Sequence, residues 1–169
     1  MGALRLGEYI LDAAIAKLKV GMPARCAAIN AEFSDEILVQ PPSEDDYYLG
    51  GVTELPRAPA VIVTEGEATI EYEGTHSFMY SPSLVLFVVE QDSDRQRLAR
   101  KLLRQQRAVI ETLWDDPPQE ALEHPLTNRR VLNLRPDRIL PGRVFEPEDE
   151  GAFWRASSVV VFTATQAEN

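Results

Sequence analysis

The sequence predicts an α+β fold, with a mostly antiparallel β-sheet, two main α-helices packed on one face of it and an extended loop or arm. Three observations support this prediction. A long amphipathic segment lies between two groups of strand-like segments, no βαβ pattern recurs along the chain, and the 169 residues suit a single domain. The composition, with 44% hydrophobic and 26% charged residues, is that of a globular protein.

The first predicted helix spans Leu4 to Lys19, and its apolar residues recur at helical spacing at Leu11, Ile15 and Leu18. We expect the helix to end at Val20-Gly21-Met22-Pro23. Glycine adopts the left-handed cap conformation readily, and proline lacks the amide that would continue the helix. The alanine-rich segment from Ala24 to Phe33 is predicted as a separate, short helical stretch.

From Pro41 to Pro59 the sequence loses its periodicity and gathers proline, glycine and acidic residues. We expect a long loop or arm, and loops of this length in a compact domain tend to have a function.

Three strand candidates follow, at Ala60 to Thr64, Glu65 to Glu73 and Ser77 to Glu90. The second alternates apolar and acidic residues, which predicts one acidic face. The third contains a run from Leu84 to Val89 that is apolar on both faces, which is typical of a central strand.

The clearest helix begins at Ser93, which has the spacing of a capping box with Gln96. Pro117-Pro118 is expected to end it. Its predicted buried stripe consists of Leu98, Leu102, Val109 and Leu113, widened by Ala99, Ile110 and Trp114. Three later strands are predicted at Arg130 to Leu134, Arg143 to Glu146 and Phe153 to Thr165, with Pro136 and Pro141-Gly142 between them.

The overall charge argues against a general nucleic-acid-binding protein, because the chain has 17 basic and 27 acidic residues and a net charge of −10. A single cysteine, Cys26, excludes an intrachain disulfide framework and a multi-cysteine zinc site. No apolar run approaches the roughly 20 residues that cross a bilayer. The amino-terminal residues include charges that a signal peptide lacks, so we expect a cytosolic protein with no membrane partner.

We find no pattern that predicts catalysis, and we expect no catalytic residue, cofactor or metal. The two histidines, His76 and His124, have no ligand spacing and are predicted as surface or turn residues. Cys26 lies in an alanine-rich stretch and is predicted as a small buried thiol. No glycine-rich phosphate loop and no nucleophile motif is present.

A basic face on the long helix is the sharpest feature. Six basic residues occur within 13 positions that hold no acid: Arg95, Arg97, Arg100, Lys101, Arg104 and Arg107. Because the whole chain carries −10 and these residues carry +6, the remainder carries −16. Like charges at i, i+4 destabilise a helix, so acidic groups must compensate them. The compensating negative charge comes from the chain's own acidic loops, from those of a neighbouring subunit, or from nucleic-acid phosphate.

Acidic residues cluster in three places, and each is either a solvated surface or a contact for a basic partner. On the predicted strand they are Glu65, Glu67, Glu71 and Glu73. In two loops they are Glu44, Asp45 and Asp46, and Glu148, Asp149 and Glu150. The strand face is the one that we interpret as facing a partner or a channel.

The order of the segments resembles that of the tail terminator or tail-completion proteins of long-tailed bacteriophages and of related small neck proteins. The resemblance covers about residues 4 to 165 and includes PAVIVTEGE, SDRQRLARKLLRQQRAVIETLW and FWRASSVVVFTAT. It implies a sheet packed against helices and a structural virion protein without enzymatic activity. It also implies a hexameric homo-oligomeric ring that caps the tail tube and joins it to the head connector or stopper protein. Such a protein would be found in the neck of the virion, and in the host cytoplasm during assembly.

A ring needs a heterologous interface, in which one face of a subunit meets a different face of the next. The predicted basic side of that interface consists of Arg97, Arg100, Lys101, Arg104 and Arg107. The acidic strand face, turned into the lumen, would let DNA pass without specific binding. Three alternatives remain: a head-completion or stopper protein, a small hydrolase or transferase, and a nucleic-acid-binding adaptor that uses the basic helix.

Overall fold

The computed structural model describes residues 3–51, 54, 56–72, 78–114, 133–148 and 152–167. The elements run in the order α1 (Ala3–Phe33), a 3-10 turn (Glu44–Asp46), β1 (Tyr47–Leu49), β2 (Ala60–Tyr72), β3 (Phe78–Asp92), α2 (Arg95–Leu113), β4 (Asn133–Leu140), β5 (Val144–Phe145) and β6 (Trp154–Ala167). The predicted α+β class is confirmed: two helices accompany a mostly antiparallel, open sheet. Among the described residues, no helix is long and apolar enough to cross a membrane.

The sheet has the strand order β1-β2-β3-β6-β4, and β5 also pairs with β6. Only β1 and β2 are parallel, whereas all other described pairs are antiparallel. Both helices pack against each other and against the sheet, α2 mainly over β3 and β6 and α1 over β1 and β2. The main core lies between the helices and this face of the sheet.

Helix α1 continues through Gly21 and Pro23, so the predicted end at this point is wrong and the two predicted helical segments are one. Buried residues recur every four positions across the expected break, at Ala14, Leu18, Met22 and Cys26. Burial of each large apolar side chain contributes roughly 1.5–3 kcal/mol, which offsets the about 3 kcal/mol that an interior proline costs. Pro23 itself is exposed.

Gly21 marks the place where the two helices approach closely. A Cβ atom on Gly21 would lie 2.6 Å from Thr112 Cγ2 of α2, well inside van der Waals contact. The glycine therefore permits helix packing and does not end a helix. Helix α1 ends instead at Ser34, whose φ of 49° is left-handed and whose amide donates to the Asn30 carbonyl.

The segment from Pro41 to Pro59 contains a short strand of the sheet. Its strand, β1, pairs with β2 in parallel, from Tyr47 opposite Val61 to Leu49 opposite Val63. The chain before β1 is held to α1, because the Asn30 side chain donates to the Val39 carbonyl and accepts from the Val39 amide.

Strand β2 joins two segments that were predicted as separate strands, and a β-bulge lies at their boundary. The register shifts between Glu65 and Ala68, so Gly66 and Glu67 together oppose Ser83. The Ser83 hydroxyl donates to the Glu67 carbonyl over 2.6 Å. A Cβ atom on Gly66 would overlap Ser83 Oγ and lie 2.8 Å from Val85 Cγ2, so a larger residue here would force these two side chains to move.

Strand β3 is central, as predicted, with β2 on one side and β6 on the other. Leu84, Leu86 and Val88 alternate toward the helices and are fully buried. The opposite face carries a smaller apolar cluster, made of Ala58, Ala60, Ile62 and Val89 with Tyr48 and Phe87 packed against it.

Helix α2 begins one residue later than expected, because Asp94 and not Ser93 is its N-cap. The Asp94 carboxylate accepts from the Arg97 amide over 2.8 Å, so the predicted capping box is wrong. The predicted stripe is buried at Leu98, Val109 and Leu113 and partly buried at Leu102, whereas Ala99 is exposed. The helix ends at Leu113, and Pro117-Pro118 lies outside the described residues.

The carboxy-terminal strands confirm the predicted strand content with different bounds. Pro136 lies inside β4, where the register with β6 shifts between Pro136 and Arg138. Proline is tolerated there because β4 is the last strand on its side of the described sheet. Residues 130–132 of the predicted strand lie outside the described residues.

Gly142 lets β5 dock on β6, and we predict that Gly142→Ala is destabilising. An added Cβ would overlap the Ser157 carbonyl oxygen, next to the hydrogen bond from the Ser157 amide to the Arg143 carbonyl. We expect a loss of about 1–3 kcal/mol in the free energy of unfolding, because backbone must shift, measured by urea denaturation. Gly51→Ala is the matched control, since no atom lies within 4 Å of its added Cβ, and an equal loss in both variants would contradict the prediction.

Candidate functional site

The basic face of α2 meets acidic groups of its own chain, and Arg104 shows this most clearly. Its guanidinium pairs with the Asp35 carboxylate through Nη1 at 2.7 Å and Nη2 at 2.5 Å. Nη1 also donates to the Ile37 carbonyl, and the guanidinium lies 4.0 Å from the centre of the Phe33 ring. The side chain is 8% exposed, so this predicted interface residue is buried within the subunit.

The electrostatics of Asp35 follow from this pairing. The hydrogen bond from the Arg104 guanidinium lowers the pKa of the Asp35 carboxyl to about 2, helped by the Ile37 amide and by the charge of Arg100. The carboxylate is therefore charged at all physiological pH values. Because Asp35 lies just after α1, the pair attaches the α1–β1 connection to α2.

Arg107 and Lys101 are paired within the chain as well. Arg107 lies 2.8 Å from Glu32 of α1 and 2.6 Å from Glu111 one turn along its own helix. Lys101 lies 2.9 Å from Asp92 at the end of β3. The acidic groups that compensate these positive charges therefore belong to the same chain. They lie not only in a loop, as the sequence suggested, but also at the ends of α1 and β3.

Asp92 organises the start of α2. Its carboxylate accepts from the Asp94 amide at 3.0 Å and pairs with Lys101, and Arg97 lies 3.7 Å away. Burial disfavours the charged form, but these donors outweigh it and lower the pKa of Asp92. The sequence Asp92-Ser93-Asp94 is thus the true signal for the helix start.

Of the five residues predicted for the subunit interface, Arg97 and Arg100 are exposed, as is Arg95 at the start of the helix. Among the described residues, no acidic group lies within ion-pair distance of Arg100, although its charge acts on Asp35, whereas Arg97 lies 3.7 Å from Asp92. The subunit-interface role stays a prediction for all five residues, of which Lys101, Arg104 and Arg107 also have close partners within the subunit.

The predicted acidic strand face is divided by the bulge in β2. Glu65 pairs with Leu84, which faces the helices, whereas Glu71 pairs with Met79, which has the opposite parity along β3. Residues directly opposite each other share a face of the sheet, so Glu65 and Glu71 lie on opposite faces. The prediction of one shared face is wrong, Glu67 lies in the bulge, and Glu73 lies outside the described residues.

The acidic loop residues Glu44 and Asp45 are exposed, whereas Asp46 is half-buried. Glu44, Asp45 and Asp46 form the 3-10 turn before β1, and the Asp46 carboxylate accepts from the Tyr48 hydroxyl at 3.3 Å. Glu148 is exposed. Asp149, Glu150, His76 and His124 lie outside the described residues.

A buried polar cluster beneath α2 was not predicted. Cys26 Sγ lies 3.8 Å from Gln105 Oε1, and Gln105 Nε2 donates to the Gln40 carbonyl at 3.1 Å. Glu90, 3% exposed, lies on the helix-facing side of β3. Burial raises the pKa of Glu90 to about 7, and the nearby charge of Asp92 adds to this.

The cluster is unsuited to nucleophilic chemistry at Cys26. Burial raises the pKa of its thiol to about 12, and the charge of Glu90 adds to this, so the thiol is protonated and not a nucleophile. The prediction that Cys26 is a small buried thiol is confirmed. Within the described part of the chain, no group of three or more metal-ligating side chains converges.

An exposed apolar edge is the surface feature that sequence reasoning missed. We use "apolar edge" for the following large side chains at the end of β4, in β5 and just before β6, with their exposed fractions: Ile139 51%, Leu140 42%, Val144 51%, Phe145 38% and Phe153 52%. Both β4 and β5 pair with β6 on the side away from β3. The signal available in the sequence was Pro136, since proline within a strand marks an edge.

No protein-family model matches the chain, and no curated protein matches it either. Among solved structures, the chain is similar to a protein in the structure described as "Virion of native gene transfer agent (GTA) particle". The two share 13% identity over 88% of this chain and 93% of that chain, with a TM-score of 0.42.

We predict that Arg104→Ala destabilises the fold. The substitution removes buried, charge-assisted hydrogen bonds to Asp35 and Ile37, so we expect the free energy of unfolding to fall by about 2 kcal/mol. Arg100→Ala, on the exposed part of the same helix face, is the control and should change it by less than about 0.5 kcal/mol. Urea denaturation of both variants measures the difference, and equal losses would contradict a structural role for Arg104.

The buried carboxyl of Glu90 predicts a pH dependence of stability. Because the folded state binds this proton more tightly than the unfolded chain, the free energy of unfolding should fall as pH rises from about 4.5 to about 7. Each pKa unit corresponds to about 1.4 kcal/mol. Glu90→Gln removes this titration, so the stability difference between variant and wild type should change by about 3 kcal/mol across that window.

Urea denaturation of both proteins at a series of pH values provides the measurement. Titrations of groups that do not interact with Glu90, such as Asp35, occur in both proteins and cancel in the difference. Parallel pH profiles for the two proteins would show that Glu90 is not held neutral by the fold.

Proposed function

We propose that the chain is a structural subunit of a phage-type virion, which works by being assembled with other proteins and not by converting a substrate. The apolar edge carries this proposal. Five large apolar side chains, each more than a third exposed, lie along one edge of the open sheet. Apolar surface concentrated in this way marks protein–protein contact sites.

Within this class, we propose the role of a tail terminator or tail-completion protein. The order of elements along the chain, with an amino-terminal helix, a central apolar strand, a basic helix and a late long strand, supports this role by resemblance. In it, copies of the chain form a ring that caps the tail tube and joins it to the head connector or stopper protein. DNA passes through the ring without specific binding.

The basic face of α2 has a different part in the proposal from the one that its sequence predicts. Arg104, Arg107 and Lys101 stabilise the subunit through Asp35, Glu32 and Asp92. Arg97, which also lies 3.7 Å from Asp92, and Arg100 are exposed members of this face, and in the proposal they contact other virion proteins. The apolar edge, rather than the basic face, supplies the main contact in this proposal.

Electron microscopy tests the proposed role. An antibody raised against the chain should label purified particles from producing cells at the junction of head and tail. Label on the capsid side of the junction, below the portal, would favour the alternative head-completion or stopper role. The absence of label on any particle would contradict a virion function.

A titration with labelled duplex DNA at two salt concentrations tests the nucleic-acid-binding alternative. Phosphate contacts by lysine and arginine make affinity fall steeply as salt rises. We expect no such binding from a chain of net charge −10, and tight, strongly salt-dependent binding would favour an adaptor over a ring protein.

A further inference from the structure

The described sheet has two free edges of different character, β1 on one side and β4 with β5 on the other. Strand β1 runs parallel to β2, and each later step from β2 to β3, β6 and β4 reverses the direction. Strands β1 and β4 therefore run in opposite directions. A β4 edge placed beside the β1 edge of a second copy, with the helices on the same side, makes an antiparallel contact.

The β4–β5 edge combines apolar and basic side chains. Ile139, Leu140 and Val144 are about half exposed. The exposed charged residues of the segment from β4 to β5 are Arg135, Asp137, Arg138 and Arg143. Arg138 Nε lies 3.8 Å from the Asp137 carboxylate. Three arginines and one aspartate give the segment from Arg135 to Phe145 a net positive charge, and the exposed Glu146 follows it directly.

The β1 edge combines apolar and acidic side chains. Leu49 is 50% exposed, and the preceding turn consists of Glu44, Asp45 and Asp46. One cation lies beside β1: Lys19 of α1 is over the Tyr47 ring at 5.9 Å. The β1 edge is therefore acidic where the β4–β5 edge is basic.

We propose that the β4–β5 edge of one copy binds the β1 edge of a second copy of this chain, in an antiparallel and heterologous contact. This inference rests on the proposed function, because it names the surfaces through which the ring would assemble. Leu49 of one copy packs against Ile139 of the next. Because the contact is antiparallel, the acidic turn that precedes β1 then lies opposite Arg143, which follows β4. Strand addition of this kind also satisfies edge backbone groups.

The charges make the contact directional. Two copies that joined through like edges would bring acid against acid or base against base, and such juxtapositions are unfavourable. Each copy therefore offers one edge of each kind, and a head-to-tail contact of this type closes into a ring when its rotation allows.

Cysteine cross-linking tests the inference. Leu49→Cys and Ile139→Cys place thiols at half-exposed positions on the two edges, on the helix side of the sheet in both cases. The concentrated double variant, treated with a short bis-maleimide, should give a ladder of dimers, trimers and longer species on a denaturing gel. Each single variant should stay monomeric, and Cys26 should not react because its thiol is buried.

Two results would overturn the inference. One is a double variant that is folded by circular dichroism but gives no ladder; the other is a single variant that forms dimers as readily as the double variant forms oligomers, which would indicate a two-fold contact. A charge exchange provides a second measurement. Asp45→Lys or Arg143→Glu alone should reduce the oligomer fraction in light scattering at low salt, and the two together should restore it.

The result of the cross-linking experiment can be distinguished from the result of the antibody labelling that tests the proposed function. If the wild-type protein forms rings and the antibody labels the head–tail junction but the double variant gives no ladder, the edge contact is wrong and the virion role stands. If the ladder forms but no particle carries the label, the chain assembles through these edges in some other structure.

Discussion

The buried guanidinium of Arg104 joins α2 to the carboxy-terminal end of α1 and to the segment that follows it. Helix α2 carries six basic residues without an intervening acid, and such a helix repels itself in isolation. The fold relieves this repulsion by bringing Asp35, Glu32 and Asp92 to it from α1, the loop after α1 and the end of β3. Formation of α2 is thereby linked to formation of the sheet and of the α1 carboxy terminus, because its charges are balanced only when these elements are in place.

The same pairing explains why most of the basic face of α2, which the sequence indicates as a binding surface, makes its contacts within the subunit. Asp35 and Arg104 are 69 residues apart, and no local pattern connects them. The spacing of basic residues correctly indicated that acids must lie against the helix. Which acids these are depends on the path of the chain after α1. That path is held by partly buried hydrogen bonds between Asn30 and Val39 and between Gln105 and Gln40.

Local periodicity was sufficient to predict α2, the central strand β3 and the α+β class, because each depends on which residues can be buried along a short stretch. It failed where tertiary packing outweighs local preference. Gly21 and Pro23 are strong stop signals, but Met22 and Cys26 are buried in the same core and α1 continues. The bulge at Gly66 moved Glu71 to the other face of the sheet, and the apolar edge could not be located before the strand order was known.

The buried thiol of Cys26 makes it possible to measure how often the helix–sheet core opens. The chain has one cysteine, and its sulfur lies in the helix–sheet core, so an alkylating reagent reaches it only in molecules whose core has opened. The rate of alkylation in native buffer therefore measures how often the core opens without denaturant. Slower alkylation after assembly would show directly that subunit contacts restrain these fluctuations.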